Sequence, residues 1–284
     1  MKAKHIPPHF WLGVCLTLLF WVLNWSLRGA RTHYLFFGLW LGYCLTIDGL
    51  TAWRTGTSPL LRSWRRYAAL FLLSAPVWWL FEIVNQHLHN WQYIGTSHLS
   101  RLEFSLWATL NFMTVIPAVL GSAELVRSFS FVQKLPKGLP LPPTRAITSL
   151  FFIGGWLLFF LMWSFPRLFF PFVWISIYFI LEPLNVWLGN HHLAQFTAKG
   201  DWRPVIALWI GVLICGFFWE MWNYYSDPKW IYTIPWGDKF RIFEMPLLGY
   251  GGYLPFALEL HAMTSFIAAI FGDKKPFVYL HPSD

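Results

Sequence analysis

Eight long apolar segments decide what this chain can fold into. Each is about 20 residues long, the length that an α-helix needs to cross the hydrocarbon core of a bilayer. Only 12% of the residues are charged, against about 25% in an ordinary soluble domain. The sequence therefore predicts an all-α, polytopic membrane helical bundle. The predicted spans are residues 9–27, 34–53, 67–88, 104–125, 146–165, 168–188, 205–224 and 245–271.

The distribution of basic residues predicts the orientation. With the N-terminus inside, 14 Lys and Arg residues lie on the inner side and 7 on the outer side, as the positive-inside rule requires. We expect both termini in the cytoplasm and the chain in the inner (cytoplasmic) membrane. The basic clusters lie between apolar runs, so the net charge of +8 does not indicate nucleic-acid binding. The first apolar run continues to Leu27 without an Ala-x-Ala site, which favours an uncleaved helix over a cleaved signal peptide.

A Pro-rich segment divides the chain into two halves. Residues 134–145, KLPKGLPLPPTR, join the fourth and fifth spans and predict a semi-rigid cytoplasmic linker. The first four-helix repeat is predicted at 1–133, the second at 146–272, and a cytoplasmic tail at 273–284. Because each half has four spans, both enter the membrane in the same direction, which makes a parallel repeat.

The two halves carry matching motifs. The matched pairs are Asp48 with Glu182, Glu82 with Glu220, Asn85 with Asn223, Trp91 with Trp230 and Tyr93 with Tyr232. A proline follows the second acid of each half after the same 35 residues, at Pro117 and Pro255. This common order indicates an internal duplication. In duplicated membrane proteins a site commonly forms where the halves meet.

Acids within the predicted spans are the candidate catalytic residues. They are Asp48, Glu82, Glu182, Glu220 and Glu259. An acid at the centre of a membrane helix costs about 2.5 to 3.5 kcal/mol on insertion scales, so it usually faces a bundle interior or a wet cavity. A carboxyl group held away from water favours its neutral form, which can donate a proton. The alternative is that these groups hydrogen-bond between helices and hold the bundle together.

Residues near the acids complete a candidate substrate site. Asn85 and Asn223 each lie three residues after an acid, on the same helix face, where the amide can reach the carboxylate or a ligand. The other candidate substrate-binding residues are Trp219, Trp230, Tyr232, Tyr250 and His261. The aromatic loops that follow the two asparagines either cap an outward-facing cavity or form an aromatic belt at the lipid headgroups.

The last span contains an unusual cluster of small residues. Gly249, Gly251 and Gly252 precede Pro255, which weakens helix continuity. Irregular backbone at membrane depth is tolerated only against protein or water. The cluster therefore indicates a cavity wall, and close helix packing through the glycines is the simpler alternative.

Several catalytic signatures are absent from the sequence. It has no G-x-x-x-x-G-K-[ST], H-E-x-x-H or G-x-S-x-G motif, and no aspartate-rich motif that would bind a diphosphate through magnesium. The histidines are scattered, and the cysteines lie within apolar runs, where packing is their usual role. We expect no metal and no cofactor.

The motif order resembles a known family. A buried acid, then Trp-x-Tyr in an outer loop, then a Gly- and Pro-containing span ending in an acid is similar to the membrane lycopene cyclases and related carotenoid-modifying proteins. The resemblance covers mainly Glu220 to Glu259, with a weaker echo from Glu82 to Pro117. It implies protonation of a polyene by intramembrane carboxylates without a redox cofactor. The chain lacks that family's Pro-x-Glu-(Glu/Asp) signature, and an unrelated bacterial membrane family is the alternative.

Three functions follow from these features. The favoured one is an intramembrane enzyme that uses buried carboxylates, Glu220 and Glu259 foremost, for acid/base chemistry of the cyclase or isomerase type on a lipid or isoprenoid. The second is a proton-coupled transporter with the acids as a relay. The third is a noncatalytic membrane scaffold subunit. The expected partners are membrane lipids and a lipophilic small molecule, and a homo-oligomer remains open.

Overall fold

The computed structural model describes residues 5–27 and 32–281. Within these residues, eight helical segments are long and apolar enough to cross a membrane, which confirms the predicted all-α polytopic bundle. They are Pro8–Ser26, Tyr34–Thr55, Trp64–Leu88, Arg101–Arg127, Arg145–Ser164, Pro166–Trp187, Arg203–Tyr224 and Leu247–Ile270. Four basic residues used to predict the orientation lie outside the described residues, namely Lys2, Lys4, Arg28 and Arg31.

The helices and strands follow one another in a simple order. The helices are α1 (Pro8–Ser26), α2 (Thr32–Thr55), α3 (Pro59–Arg62), α4 (Trp64–Leu88), α5 (Arg101–Phe112), α6 (Val115–Arg127), α7 (Ser130–Gln133), α8 (Arg145–Ser164), α9 (Pro166–Phe169), α10 (Ser176–Trp187), α11 (Ala194–Thr197), α12 (Arg203–Tyr224) and α13 (Tyr250–Ile270). Short 3₁₀ turns cover Phe170–Trp174 and Leu247–Gly249. The strands are β1 (Trp91–Ile94), β2 (Lys229–Tyr232), β3 (Arg241–Ile242) and β4 (Met245–Pro246).

The fourth predicted span is two helices rather than one. α5 ends at Phe112, and α6 begins at Val115. Ser74 of α4 fills the break, because its hydroxyl donates to the Phe112 carbonyl over 2.5 Å and accepts from the Ile116 N–H over 3.0 Å. A break at membrane depth is stable only when such side chains satisfy the freed backbone groups.

The sixth and eighth spans also depart from the expected geometry. Pro166 and Pro171 begin short helical turns ahead of α10, so the sixth span is helical in pieces. The eighth span is more regular than predicted, since α13 continues through Gly251, Gly252 and Pro255. The expected irregular backbone at these residues is therefore wrong. Gly251 and Gly252 lie in the first turn of α13, whereas Pro255 lies inside the helix, where it removes one backbone hydrogen bond.

The two predicted halves meet through their third, fourth, seventh and eighth spans. α6 packs along α12, and α4 touches α13. Within the halves, α2 contacts α6, and α10 contacts α13. Helices α1 and α8 lie at the outside, where few of their residues are buried. The centre of the bundle is thus built from helices that carry acids, and its periphery from uniformly apolar helices that suit contact with lipid.

The strands β1 and β2 pair at one end of the bundle, joining the two halves. They are antiparallel, with Trp91 opposite Tyr232 and Tyr93 opposite Trp230. The two Trp-x-Tyr sequences therefore pair with each other about a local two-fold axis. With the predicted orientation, this end faces outward.

The opposite end of the bundle is closed by residues 272–281. Arg62 donates to both carboxylate oxygens of Glu124 over 2.6 and 2.8 Å, and the N–H of Tyr279 donates to the same carboxylate over 2.9 Å. Glu124 is fully buried, and it is not among the acids predicted from the sequence. Leu280 is also buried, so the described part of the segment predicted as a tail, up to residue 281, is packed onto the helices.

We predict that Gly211 is required for the contact between α6 and α12. A Cβ at position 211 would lie 2.5 Å from the backbone nitrogen of Ala123 and 2.7 Å from its Cα, whereas one at Gly154 of α8 would meet nothing within 4 Å. Gly211→Ala should therefore lower the free energy of unfolding by about 1 to 3 kcal/mol. Gly154→Ala, the matched control, should leave it unchanged or raise it by up to about 1 kcal/mol. Unfolding of the purified protein in detergent measures both, and equal effects would contradict the prediction.

We predict a pH-dependent contribution from Asp201, which lies just before α12. Hydrogen bonds from Arg203 lower the pKa of Asp201 from 3.8 to about 2, and His281 lies 2.8 Å from the same carboxylate. Because the folded-state pKa is depressed, the contribution is present above the ordinary pKa and is lost as the pH falls through about 2. Asp201→Asn should have a lower melting temperature than wild type at neutral pH, and the difference between the two melting temperatures should disappear on acidification. A gap that stays constant down to the folded-state pKa would contradict this.

Candidate functional site

A cavity of about 480 Å³ lies between the β1–β2 sheet and the helices α4, α5, α12 and α13. Its volume falls in the range of about 300 to 1,000 Å³ that is usual for small-molecule sites. Most of the lining is aromatic, and the rings include Trp78, Trp91, Tyr93, Trp174, Trp219, Trp230, Tyr232, Tyr253 and Phe256. The aromatic loops therefore cover a cavity, one of the two arrangements that the sequence allowed.

The cavity reaches the molecular surface through apolar side chains. Trp236 and Leu248 both line it, and they are 47% and 68% exposed. Gly249, Gly251 and Gly252 line it as well, so the small-residue cluster forms part of the cavity wall. An opening edged by apolar groups favours access for a lipophilic molecule.

Glu82 holds three aromatic residues of the lining. Its Oε1 accepts hydrogen bonds from the Trp78 indole over 2.9 Å, the Trp91 indole over 3.1 Å and the Tyr93 hydroxyl over 2.6 Å. All three donors line the cavity, whereas Glu82 is not among the lining residues. The carboxylate therefore lies behind the aromatic wall and orients it.

Glu220 occupies the matching place in the second half. Its Oε1 accepts from the hydroxyls of Tyr232 and Tyr253, each over 2.7 Å, and the Trp230 indole donates to the Tyr232 oxygen over 3.0 Å. Glu220 is fully buried, and within the described residues its Oε2 has no hydrogen-bond partner. One carboxylate thus serves two phenols that face the same cavity.

The loop tyrosines in these pairs keep their protons at neutral pH. Burial, and then the charge of Glu82, raises the pKa of Tyr93 well above its usual value of 10.0. Burial and the charge of Glu220 act in the same direction on the pKa of Tyr232. Each phenol is therefore a hydrogen-bond donor to its carboxylate, and the Tyr232 oxygen, which already accepts from the Trp230 indole, keeps one lone pair for a further hydrogen bond.

Asn85 and Asn223 position the strands instead of lining the cavity. The Asn85 amide donates to the Trp91 carbonyl over 2.8 Å and accepts from the Trp91 N–H over 3.2 Å. The Asn223 amide makes the same pair of bonds with Trp230, over 2.8 and 2.9 Å. Neither asparagine is among the lining residues. In both halves, the amide fixes the strand start and so places the Trp-x-Tyr side chains beside the acid.

Three other candidate acids bind backbone groups away from the cavity. Asp48 accepts from the Ser58 hydroxyl over 2.6 Å and the Leu60 N–H over 3.0 Å. Glu182 accepts from the Ala194 N–H over 2.9 Å. Glu259 accepts from the N–H of Ile177, in the first turn of α10, over 3.1 Å. The lining residues of the cavity include none of these acids, so the structure brings only Glu82 and Glu220 beside it.

Two candidate substrate-binding residues also lie outside the cavity lining. The Tyr250 hydroxyl donates to the Ile242 carbonyl over 3.2 Å. His261 packs against His191, with ring centroids 5.3 Å apart. Trp219, Trp230 and Tyr232 do line the cavity. Within the described residues, no group of three or more His, Cys, Asp and Glu side chains is placed to hold a metal ion.

Several residues that form the site were not predicted from the sequence. Tyr253 and Phe256 belong to α13, and Trp78 lies one turn before Glu82 on α4. Their spacing was a usable signal, because positions three or four apart share a helix face. Tyr253 fits against α12 because Gly216 has no side chain, and a Cβ there would lie 2.7 Å from its ring.

Comparison of the chain with known protein families, with curated proteins and with solved structures finds no match.

We predict that Asn85→Ala destabilises the protein through the strand start. Loss of the amide leaves the N–H groups of Asn90 and Trp91 and the Trp91 carbonyl unpaired, which should cost about 2 to 4 kcal/mol. Gln92→Ala alters an exposed residue of β1 and is the matched control, with an expected change within about 0.5 kcal/mol. Denaturant unfolding monitored by tryptophan fluorescence compares them, and indistinguishable variants would contradict the assigned role.

Proposed function

We propose that this protein is an intramembrane enzyme that binds a lipophilic molecule of the lipid or isoprenoid class in the aromatic cavity and transfers protons to or from it. One observation carries the proposal. Three phenols that line a single apolar cavity are hydrogen-bonded to two buried carboxylates, Tyr93 to Glu82, and Tyr232 and Tyr253 to Glu220. The lipophilic ligand is favoured by the aromatic lining and by the apolar residues at the opening.

The phenol–carboxylate pairs give a proton a short path. A C–H proton leaving a cationic ligand passes to the oxygen of Tyr232, while the phenol proton moves to Oε1 of Glu220 over the existing hydrogen bond. The ligand becomes a neutral alkene and the carboxylate becomes a neutral acid, so charge balances. The reverse sequence protonates an alkene. Tyr253 offers a second path to the same carboxylate.

The ring faces suit the charge that such a reaction develops. A carbocation beside Trp or Tyr rings is stabilised by the negative face of each ring, as in other cation–π contacts. Trp219 and Tyr253 are nearly parallel, at 13° with centroids 6.5 Å apart, so their wall presents flat surfaces. Flat walls also suit a polyene. The resemblance to membrane lycopene cyclases implies chemistry of the same class.

The enzyme is favoured over the transporter by the partners of the remaining acids. A relay across the bilayer would need Asp48 and Glu182 to continue the path from Glu82 and Glu220. Instead, Asp48 and Glu182 bind N–H groups at the start of α3 and α11. A scaffold whose acids only join helices would not need a cavity of this volume. We propose the inner membrane, with the sheet facing outward, as the location.

The proposal is tested by comparing lipid extracts of cells with and without the protein by mass spectrometry. We predict that wild type changes the amount of at least one lipophilic compound. Glu220→Gln should reduce that conversion by about 100-fold or more, as expected for loss of general acid–base catalysis. Glu82→Gln should reduce it as well, because a neutral amide replaces the charged acceptor of Trp78, Trp91 and Tyr93, and hydrogen bonds to a neutral oxygen are weaker.

Glu103→Gln is the matched control. Glu103 lies in the first turn of α5, where it forms a capping box with Ser100 that a glutamine also supports. It should retain wild-type conversion. If folded Glu220→Gln and Glu82→Gln proteins convert the compound as fast as wild type, the catalytic assignment fails.

A further inference from the structure

One polar side chain of the cavity lining has no partner. Asn90 is only 3% exposed, and within the described residues neither its Nδ2 nor its Oδ1 has a hydrogen-bond partner. Its backbone is fixed, because its N–H donates to Asn85 Oδ1 over 2.9 Å and its carbonyl accepts from Thr233 over 2.8 Å. The amide is therefore held among aromatic rings with one donor group and one acceptor unused.

A second amide of the same cavity is partly unused. Oδ1 of Asn111, in the last turn of α5, is buried and has no hydrogen-bond partner among the described residues. Buried amides are normally hydrogen-bonded, since leaving them unpaired is unfavourable. Two such groups in one apolar cavity indicate a ligand that carries a hydrogen-bonding group.

The charges around the cavity restrict that group. The one basic residue among the described lining residues is Lys229, and its ammonium is already paired with the Glu244 carboxylate and with the Tyr224 carbonyl over 3.3 Å. Glu82 and Glu220 place two acids directly behind the wall. A phosphate or carboxylate on the ligand would find no unpaired basic side chain among the described lining residues. An unpaired buried charge is strongly disfavoured.

We infer that the ligand is an uncharged lipophile bearing a hydroxyl or amide-type group, and that Asn90 binds this group as both donor and acceptor. This inference rests on the proposed function, which supplies a lipophile in the cavity. Asn90 and Lys229 each precede the Trp of a Trp-x-Tyr sequence, so the two halves differ at this position. One half presents an amide with no partner among the described residues and the other an ammonium paired with Glu244, and the unpaired amide fixes the direction in which the ligand lies.

The test measures binding of three probes to purified protein through quenching of tryptophan fluorescence. The probes are retinol, retinoic acid, and the hydrocarbon analogue of retinol that lacks the hydroxyl. We expect wild type to bind retinol about tenfold more tightly than either of the others at neutral pH. Asn90→Leu should weaken retinol binding about tenfold and leave the hydrocarbon within about twofold. Gln92→Leu, in the adjoining strand β1 but outside the cavity lining, should bind all three like wild type.

Stability of the ligand-free protein gives an independent reading. Asn90→Leu removes two unpartnered polar atoms, so it should raise the apparent melting temperature, by about 2 to 4 °C. A lowered melting temperature would show that the amide has a structural partner and would overturn the inference.

The binding outcomes separate this inference from the proposed function. Equal retinol affinity in Asn90→Leu and wild type, or retinoic acid bound as tightly as retinol, overturns the role of Asn90 while a lipophile-binding cavity stands. Failure of all three probes to bind wild type counts against the cavity as a lipophile site, and so against both proposals.

Discussion

Backbone N–H and C=O groups that cannot reach water must find partners inside the protein, and this need organises the whole bundle. At several places where a helix breaks or begins at depth, a polar side chain from another segment supplies the partner. Ser74 fills the break before α6, and Glu259 binds the start of α10. Asn85 and Asn223 bind the backbone of Trp91 in β1 and Trp230 in β2. The irregular segments that shape the cavity exist because these side chains stabilise them.

The acids of the bundle fall into two groups by what they bind. Asp48, Glu182 and Glu259 bind backbone N–H groups, so removal of their charge acts first on the fold. Glu82 and Glu220 bind phenols and indoles of the cavity wall. Only the second group has hydroxyl and indole donors between it and the cavity. An intramembrane acid is therefore informative about function only once its partners are known.

The paired strands explain how one wall is made from two distant segments. Trp91 and Tyr93 pair with Tyr232 and Trp230 about a local axis, and both halves use the same Asn and Glu contacts. These equivalences support the predicted duplication, and the division of the whole chain into two repeats remains a prediction. The two halves are not identical at the cavity. Tyr253 adds a second phenol at Glu220 alone.

The sequence by itself determined the eight apolar helices, because hydrocarbon solvent demands about 20 apolar residues per crossing whatever the fold. It also indicated Glu82 and Glu220 as a related pair, because each is followed by the same motifs in the same order along its half of the chain. Only the tertiary structure decided that these two acids border a cavity while Glu259 does not, and that Tyr253 and Asn90 line it. Which side chains meet depends on helix packing and strand register between segments far apart in the chain. The spacing of residues along one helix does not predict these contacts.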